Sequence, residues 1–179
     1  MPVLIDREVI VAVIRRVTQE VLSTMLDVEA QTLEAYTEHQ APAKSEGVAS
    51  FVGLAGAEYA GTGSLHCGSD TACWLASRFL MAEYKSVDDE VLDAFGELAN
   101  MIVGNFKNEI EQHTGPLGLS VPTVIYGRNF STRSLSREEW TVLPFQCGAE
   151  TLTVKVCLKP KEAGRAPRHG ERQEFILEP

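Results

Sequence analysis

The sequence has neither an apolar run long enough to cross a bilayer nor a secretory leader. Its first five residues are followed directly by the charged residues Asp6, Arg7 and Glu8, where a leader would continue with apolar side chains. These two absences predict a cytoplasmic protein that has no membrane partner.

Positive charge is also scarce, because 16 Lys and Arg residues stand against 25 Asp and Glu residues and give a formal net charge of −9. A protein that binds nucleic acid needs the opposite balance, so we expect no nucleic-acid partner. Acidity favours a partner with a basic rim, although it does not identify one. The remaining composition, 44% hydrophobic and 23% charged over 179 residues, is typical of one globular domain with a substantial core.

Cysteine is rare too, and its spacing excludes the usual zinc motifs. No two cysteines form a C-x-x-C pair and no histidine cluster accompanies them, so we expect no metal site. A predicted hairpin with its turn at residues 148–150 places Cys147 opposite Thr151 and Cys157 opposite Thr141, so these two cysteines do not meet as a disulfide. Reduced thiols are therefore expected at all four positions, Cys67, Cys73, Cys147 and Cys157.

The most prominent feature that the sequence does contain is a long amphipathic helix, predicted at residues 87–113. Its apolar residues recur at spacings of three and four and fall on one face. Ser86 stands at the N-cap position, and Gly115 and Pro116 follow the last periodic residues. The helix would be roughly 40 Å long, which makes it the spine of the domain. The apolar face consists of Val87, Val91, Phe95, Leu98, Ile102, Phe106 and Ile110.

The opposite face of this helix carries Asp93, Glu97 and Asn100, which are spaced by four and then three residues and so form one stripe. A carboxylate and a carboxamide held on a rigid helix can grip a lysine and orient a water molecule. The same residue types are also ordinary on a solvated helix surface, and the stripe alone does not decide between these interpretations. Gly104 lies on the same face one turn after Asn100 and leaves room for a close approach.

The other segments predict an α+β domain at residues 1–158, followed by a polar tail at residues 159–179 that we expect to be flexible. A second long helix is predicted at residues 5–28 and a shorter one at residues 69–81. We expect about six strands in an antiparallel or mixed sheet, packed by these three helices. The strands are predicted at residues 47–56, 59–67, 117–126, 140–147 and 151–158, with residues 175–177 docking from the tail.

The two long helices indicate an internal pseudo-duplication. A shift of 81 positions superposes their apolar periods, and each helix is followed by strands. In this register Arg16 occupies the position of Glu97, and Gln19 occupies the position of Asn100. Only the second half of the chain would then carry the Glu and Asn pair.

Two segments carry a family resemblance. Residues 93–105 read D-A-F-G-E-L-A-N-M-I-V-G-N, and residues 119–125 read L-S-V-P-T-V-I. An acidic or serine residue, then E-x-x-N, then a downstream proline is the pattern of the CheC, CheX and FliY group of chemotaxis phosphatases. The sequence resembles this group over about residues 5–158, with 21 residues between Asn100 and Pro122. Members similar to CheC usually carry two E-x-x-N helices and members similar to CheX carry one, so this chain is most similar to CheX.

The resemblance implies an enzyme, a phosphatase that hydrolyses the aspartyl phosphate of a CheY-like response regulator in bacterial chemotaxis. In that role Asn100 would orient the attacking water, and Glu97 would pair with a lysine of the receiver domain. Mg²⁺ is expected on the partner receiver, and no cofactor is expected on this chain. The resemblance also implies a homodimer.

Three further residues, Asp93, Gly104 and Pro122, are expected to help bind the partner. Asp93 could instead cap the local backbone or simply be solvated, and Pro122 would shape a strand edge near the site. The alternative function is a non-catalytic module that binds a receiver or a component of the flagellar switch. A structural assembly domain with a degenerate site is a third alternative, against which the intact Glu97 and Asn100 argue.

Overall fold

The computed structural model describes residues 3–38, 45–132, 139–161 and 175–176, and this part of the chain forms three helices and nine strands. No helix within it is long and apolar enough to cross a membrane. The helices are α1 (Arg7–Leu26), α2 (Ser69–Leu80) and α3 (Asp89–Thr114). The strands are β1 (Gln31–Thr32), β2 (Tyr36–Glu38), β3 (Ser45–Gly56), β4 (Tyr59–Cys67), β5 (Leu117–Leu119), β6 (Thr123–Thr132), β7 (Trp140–Cys147), β8 (Glu150–Pro160) and β9 (Phe175–Ile176).

The sheet confirms the predicted α+β class, but the expected number of about six strands is wrong. Nine strands form one sheet, and all of its described pairings are antiparallel. β1 and β2 lie between the predicted helix at residues 5–28 and the predicted strand at residues 47–56, where no strand was predicted. Strands of two and three residues are too short to show a periodicity. The strand predicted at residues 117–126 is divided into β5 and β6. β9 belongs to the predicted tail, of which residues 162–174 and 177–179 lie outside the described residues.

The order of the strands supports the predicted duplication. β4 and β8 pair at the centre of the sheet, with β3 beside β4 and β7 beside β8. The outer strands cross between the halves, since β5 and β6 pair with β3 while β1 and β2 pair with β7. Each half therefore consists of a long helix, a broken outer strand and a hairpin. An approximate twofold axis relates the halves at the central pair of Ser64 and Lys155.

Burial along the two long helices follows the same repeat. Eight residues of α1 are buried, and the position 81 residues later is buried on α3 in every case except one, Leu26, whose counterpart is Lys107. The two helices therefore present equivalent faces to the core, as the apolar periods of the sequence predict.

The three helices and the sheet enclose one hydrophobic core. α3 comes close to the sheet at Gly63 of β4, where an added β-carbon would lie 2.6 Å from Cγ2 of Val103. A side chain at Gly63 would push α3 away from the sheet, so the missing β-carbon determines how deeply this helix is seated. The largest fully buried side chains include Phe95, Phe106, Phe145, Ile14, Leu65, Leu143 and Leu152.

The start of α3 differs slightly from the prediction. Asp88 is the N-cap rather than Ser86, and its Oδ1 accepts a hydrogen bond from the backbone nitrogen of Val91 at 2.9 Å. An N-cap carboxylate satisfies a free N–H group and also complements the positive end of the helix dipole. The first helical residue is therefore Asp89.

The end of α3 is tied directly to the first strand that follows. The Glu111 carboxylate accepts a hydrogen bond from the backbone nitrogen of Leu117 at 2.8 Å and pairs with Lys107 at 2.8 Å. The hydrogen bond from Leu117, followed by the interaction with Lys107, holds the pKa of Glu111 below its ordinary value. These contacts fix the position at which β5 begins beside the helix.

None of the four cysteines is in a disulfide, as predicted, and all four are buried. Cys147 and Cys157 lie on the hairpin of β7 and β8, whose predicted register is wrong by one residue. The turn contains two residues instead of three, and Gly148 adopts a φ of +66° there. Cys147 therefore lies opposite Glu150, and Thr141 lies opposite Val156. Burial raises the pKa of the Cys147 thiol to about 11, so this thiol stays protonated and unreactive at neutral pH.

Candidate functional site

Asn100 lies between two glycines on one row of α3. Gly96 precedes it by four residues and Gly104 follows it by four, so the three residues lie on the same side of the helix in successive turns. Neither neighbour has a side chain, and the Asn100 carboxamide, which is half-buried, is therefore the only side chain of the row. Gly104 was predicted on this face from the helical spacing, whereas Gly96 was not.

The chain between β5 and β6 covers this glycine row. A β-carbon on Gly104 would lie 3.6 Å from Cδ1 of Leu119, and one on Gly96 would lie 3.9 Å from Cβ of Pro122. Because Leu119 lies beside one end of the row and Pro122 beside the other, the intervening residues run past Asn100. The predicted space at Gly104 is thus partly filled by Leu119 of the same chain.

Residues 120–122 form a bulge, hereafter the 120–122 bulge. Between the last pair of β5 and the first pair of β6, β3 contributes two residues and the outer chain contributes three. Pro122, predicted inside a strand, instead ends the bulge just before β6 begins at Thr123. Proline has no N–H group for the ladder, which explains why the strand is interrupted at this point.

Ser120 fastens the bulge to β3. Its backbone nitrogen donates to the Gly53 carbonyl oxygen at 2.9 Å, and its Oγ accepts from the Gly53 nitrogen at 2.8 Å. The hydroxyl also donates to the Val121 carbonyl oxygen at 3.0 Å. Ser120 thus satisfies both backbone groups of Gly53 at the point where the regular ladder is interrupted.

Glu97 and Asp93 lie on the outer surface of the same helix, and both are exposed. Within residues 3–38, 45–132 and 139–161, the side chains of Glu97 and Asn100 have no hydrogen-bond or ion-pair partner. A carboxylate and a carboxamide with free hydrogen-bonding capacity, one turn apart on a rigid helix, are available to an external partner. The structure therefore brings Asp93, Glu97, Asn100, Gly104 and Pro122 to one edge of the molecule.

The corresponding positions on α1 are occupied differently. Arg16 forms an ion pair with Glu109, and its Nε lies 3.2 Å from Oε1 of that residue. The Gln19 amide donates to the Ala30 carbonyl oxygen at 2.9 Å. Both side chains are used in contacts within the chain, so only α3 presents a free carboxylate and carboxamide pair.

The described residues contain no group of three or more His, Cys, Asp or Glu side chains that could hold a metal ion.

Comparisons with known proteins identify the family of the chain. The profile of one protein family, Chemotaxis phosphatase CheX, matches residues 48–146, more than half of the chain. The chain belongs to the CheX family of chemotaxis phosphatases. All five site residues predicted from the sequence lie within the matched region. A comparison with curated proteins gives no match.

Solved structures share the CheX-family fold over most of the chain. A CheC-like superfamily protein from Shewanella sp. PV-4 is 23% identical, with a TM-score of 0.75 over 84% of this chain and 97% of its own. The chemotaxis protein CheX from Vibrio vulnificus is 20% identical, with a TM-score of 0.73 over 87% and 100%. A chain of the CheX–CheY–BeF3–Mg²⁺ complex from Borrelia burgdorferi is 24% identical, with a TM-score of 0.67 over 83% and 97%. At these identities the likeness confirms the CheC/CheX-like fold.

Proposed function

We propose that this chain hydrolyses the aspartyl phosphate of a CheY-like response regulator, with Asn100 orienting the attacking water and Glu97 pairing with a receiver lysine. The free Glu97 and Asn100 side chains on the exposed edge of α3 carry the proposal. Membership of the CheX family and the likeness to a structure solved as a CheX–CheY complex support the choice of partner.

The reaction requires little covalent chemistry from this chain. The oxygen of a water molecule forms a bond to phosphorus as the bond between phosphorus and the aspartate oxygen breaks. The carboxylate leaves with the electron pair, and the proton of the water passes to the phosphate and then to solvent. Catalysis of this kind depends on in-line positioning and on charge stabilisation. The receiver is expected to supply the Mg²⁺ that offsets phosphoryl charge, so this chain needs no metal of its own.

Asn100 suits the orienting role because a carboxamide both donates and accepts hydrogen bonds and does not titrate. It is half-buried between two glycines, whose missing side chains leave room for a close approach to the carboxamide. Holding the water in line is worth roughly 10² to 10⁴ in rate, on the scale of other single positioning groups.

Glu97 suits the role of pairing because it is exposed one turn before Asn100 and has no ion-pair partner among the residues that the structure describes. A contact between its carboxylate and a lysine of the receiver would set the distance between Asn100 and the phosphoryl group. The exposed carboxylate of Asp93, one turn further, extends the negative edge towards the same partner. Charge complementarity of this kind mainly raises the association rate and fixes register.

The test is a dephosphorylation assay with a phosphorylated CheY-like receiver, combined with direct binding of the beryllofluoride-activated receiver. Asn100→Ala should lower kcat roughly 10² to 10⁴-fold while the complex still forms. Glu97→Ala should weaken both binding and turnover. Asn108→Ala is the matched control, because it removes the same side chain from an exposed position two turns further along α3.

Different outcomes separate this proposal from the non-catalytic alternative. A wild-type protein that binds the activated receiver but does not shorten the life of its phosphate would be a docking module. If Asn100→Ala and Glu97→Ala both leave the phosphate lifetime at the wild-type value, the assigned roles are wrong.

The proposal includes a homodimer. Along Thr123–Phe130, the side of β6 away from β3 pairs with no described strand, since β9 reaches only Ser131 and Thr132. An open edge of this length can pair with a second copy. A sedimentation measurement that shows a monomer at tens of micromolar would contradict it.

A further inference from the structure

The 120–122 bulge has a counterpart in the other half of the molecule. Between β1 and β2, residues 33–35 form the same arrangement, in which β7 contributes two residues and the outer chain contributes three. The Leu33 nitrogen donates to the Pro144 carbonyl oxygen at 2.9 Å, which corresponds to the 2.9 Å bond from Ser120 to Gly53. The two bulges are therefore equivalent under the approximate twofold axis.

The middle residue of the two bulges differs in chemistry. In the first half it is Glu34, an exposed charged residue that is ordinary in such a position. In the second half it is Val121, whose side chain is 85% exposed. A valine left in water does not gain the free energy that burial would give. The equivalent backbone position accepts glutamate in the first half, so the geometry of the bulge does not explain why the second half has valine.

Val121 stands between Leu119 and Pro122, which border the half that carries Glu97 and Asn100, whereas Glu34 belongs to the half that carries Arg16 and Gln19. Pro122 packs at Gly96, one residue before Glu97, and Leu119, itself 38% exposed, packs at Gly104, one turn after Asn100. The bulge therefore borders the helix row that contains Asn100. The bulge is also held rigidly by the three hydrogen bonds of Ser120, so presenting Val121 requires little further ordering.

From this asymmetry we infer that Val121 is a docking residue for the receiver, packing on an uncharged surface beside the phosphorylated aspartate. The inference rests on the proposed function, because the occupant is the same receiver domain. Its role is binding and specificity, not chemistry. Glu97 supplies a charged contact on one side of Asn100, and Val121 supplies an apolar one on the other.

The test exchanges the middle residues of the two bulges. Val121→Glu gives the second bulge the middle residue of the first bulge. Glu34→Val makes the reverse change in the first bulge and is the matched control. With a phosphorylated receiver, V121E should raise KM about tenfold, the scale of one buried valine side chain, and leave kcat within about twofold. The Kd for the beryllofluoride-activated receiver should rise by the same factor. E34V should change none of these quantities by more than about twofold.

A second variant separates lost apolar contact from added charge. Val121→Ser introduces no charge and should raise Kd in the same direction, by a smaller factor than V121E. Because Val121 is exposed, both variants should fold, which thermal unfolding verifies. An unchanged KM and Kd in V121E and V121S, with turnover lost in Asn100→Ala, would overturn the docking role and leave the proposed function intact.

Failure of the proposed function, and two further outcomes against the inference, can also be distinguished. If the wild-type protein does not accelerate dephosphorylation, the proposed function fails, and the Kd values alone decide whether Val121 contacts the receiver. Equal weakening by V121E and E34V would overturn the inference, since the effect would not belong to one bulge. A change of oligomeric state in V121E, seen by sedimentation, would also overturn it by assigning the valine to contact between two copies.

Discussion

The Ser120 hydroxyl oxygen accepts a hydrogen bond from the Gly53 backbone nitrogen at 2.8 Å, which replaces a ladder bond at the 120–122 bulge. A β-carbon on Gly53 would lie 3.3 Å from that oxygen, so the glycine also allows the hydroxyl to approach. This contact joins a central hairpin strand to the segment that borders Asn100.

Removing the hydroxyl should loosen the bulge. Ser120→Ala leaves the Gly53 nitrogen without its acceptor and should lower the free energy of unfolding by about 1–2 kcal/mol, measured by urea denaturation. If the bulge positions Val121, the variant should also raise KM for the receiver more than it lowers kcat. A stability equal to wild type would show that water replaces the hydroxyl fully.

The seat of α3 on the sheet can be tested through Gly63 and Val103. Gly63→Ala places a β-carbon 2.6 Å from Cγ2 of Val103 and should cost about 1–3 kcal/mol. Val103→Ala, which leaves a cavity, should cost about 2 kcal/mol. In the double variant the new methyl group occupies the vacated space. The loss in free energy of unfolding should therefore be smaller than the sum of the two single losses by about 1 kcal/mol or more. Additive losses in chemical denaturation would refute this account of the helix position.

The contact between Glu111 and Leu117 makes a prediction about pH. Because the folded state lowers the pKa of Glu111, its contribution to stability is present above the ordinary value of 4.5 and is lost as pH falls through the lower folded value. Glu111→Gln should therefore be less stable than wild type near neutrality, and the difference should vanish in acid. Thermal unfolding at pH values from about 7 down to about 3 measures this, with Glu29→Gln as the control for losing one exposed carboxylate. A difference that stays constant down to the lowest pH would contradict the assignment.

The sequence alone determined the long amphipathic helix that carries Glu97 and Asn100, and the family. The evidence for them is local: apolar residues spaced by three and four along α3, the spacing of Glu97 and Asn100, and the downstream Pro122. Such local patterns can be read directly from a sequence. The strands of the two hairpins were also readable, because β4 and β7 have the bounds that alternation and turn residues predict. The duplication was visible in the apolar periods of the two long helices for the same reason.

The tertiary structure alone decided what surrounds that site. β1, β2 and β5 are too short to leave a signal in the sequence, and their pairing with the hairpin of the opposite half depends on contacts between distant residues. The contacts of the glycine row on α3 with Leu119 and Pro122 are visible only in the tertiary structure. The contrast between Val121 and Glu34 likewise requires the twofold axis, because no sequence pattern aligns two bulges whose flanking strands have two or three residues. Periodicity encodes which face of an element is buried, whereas the neighbours of that face are set by long-range packing.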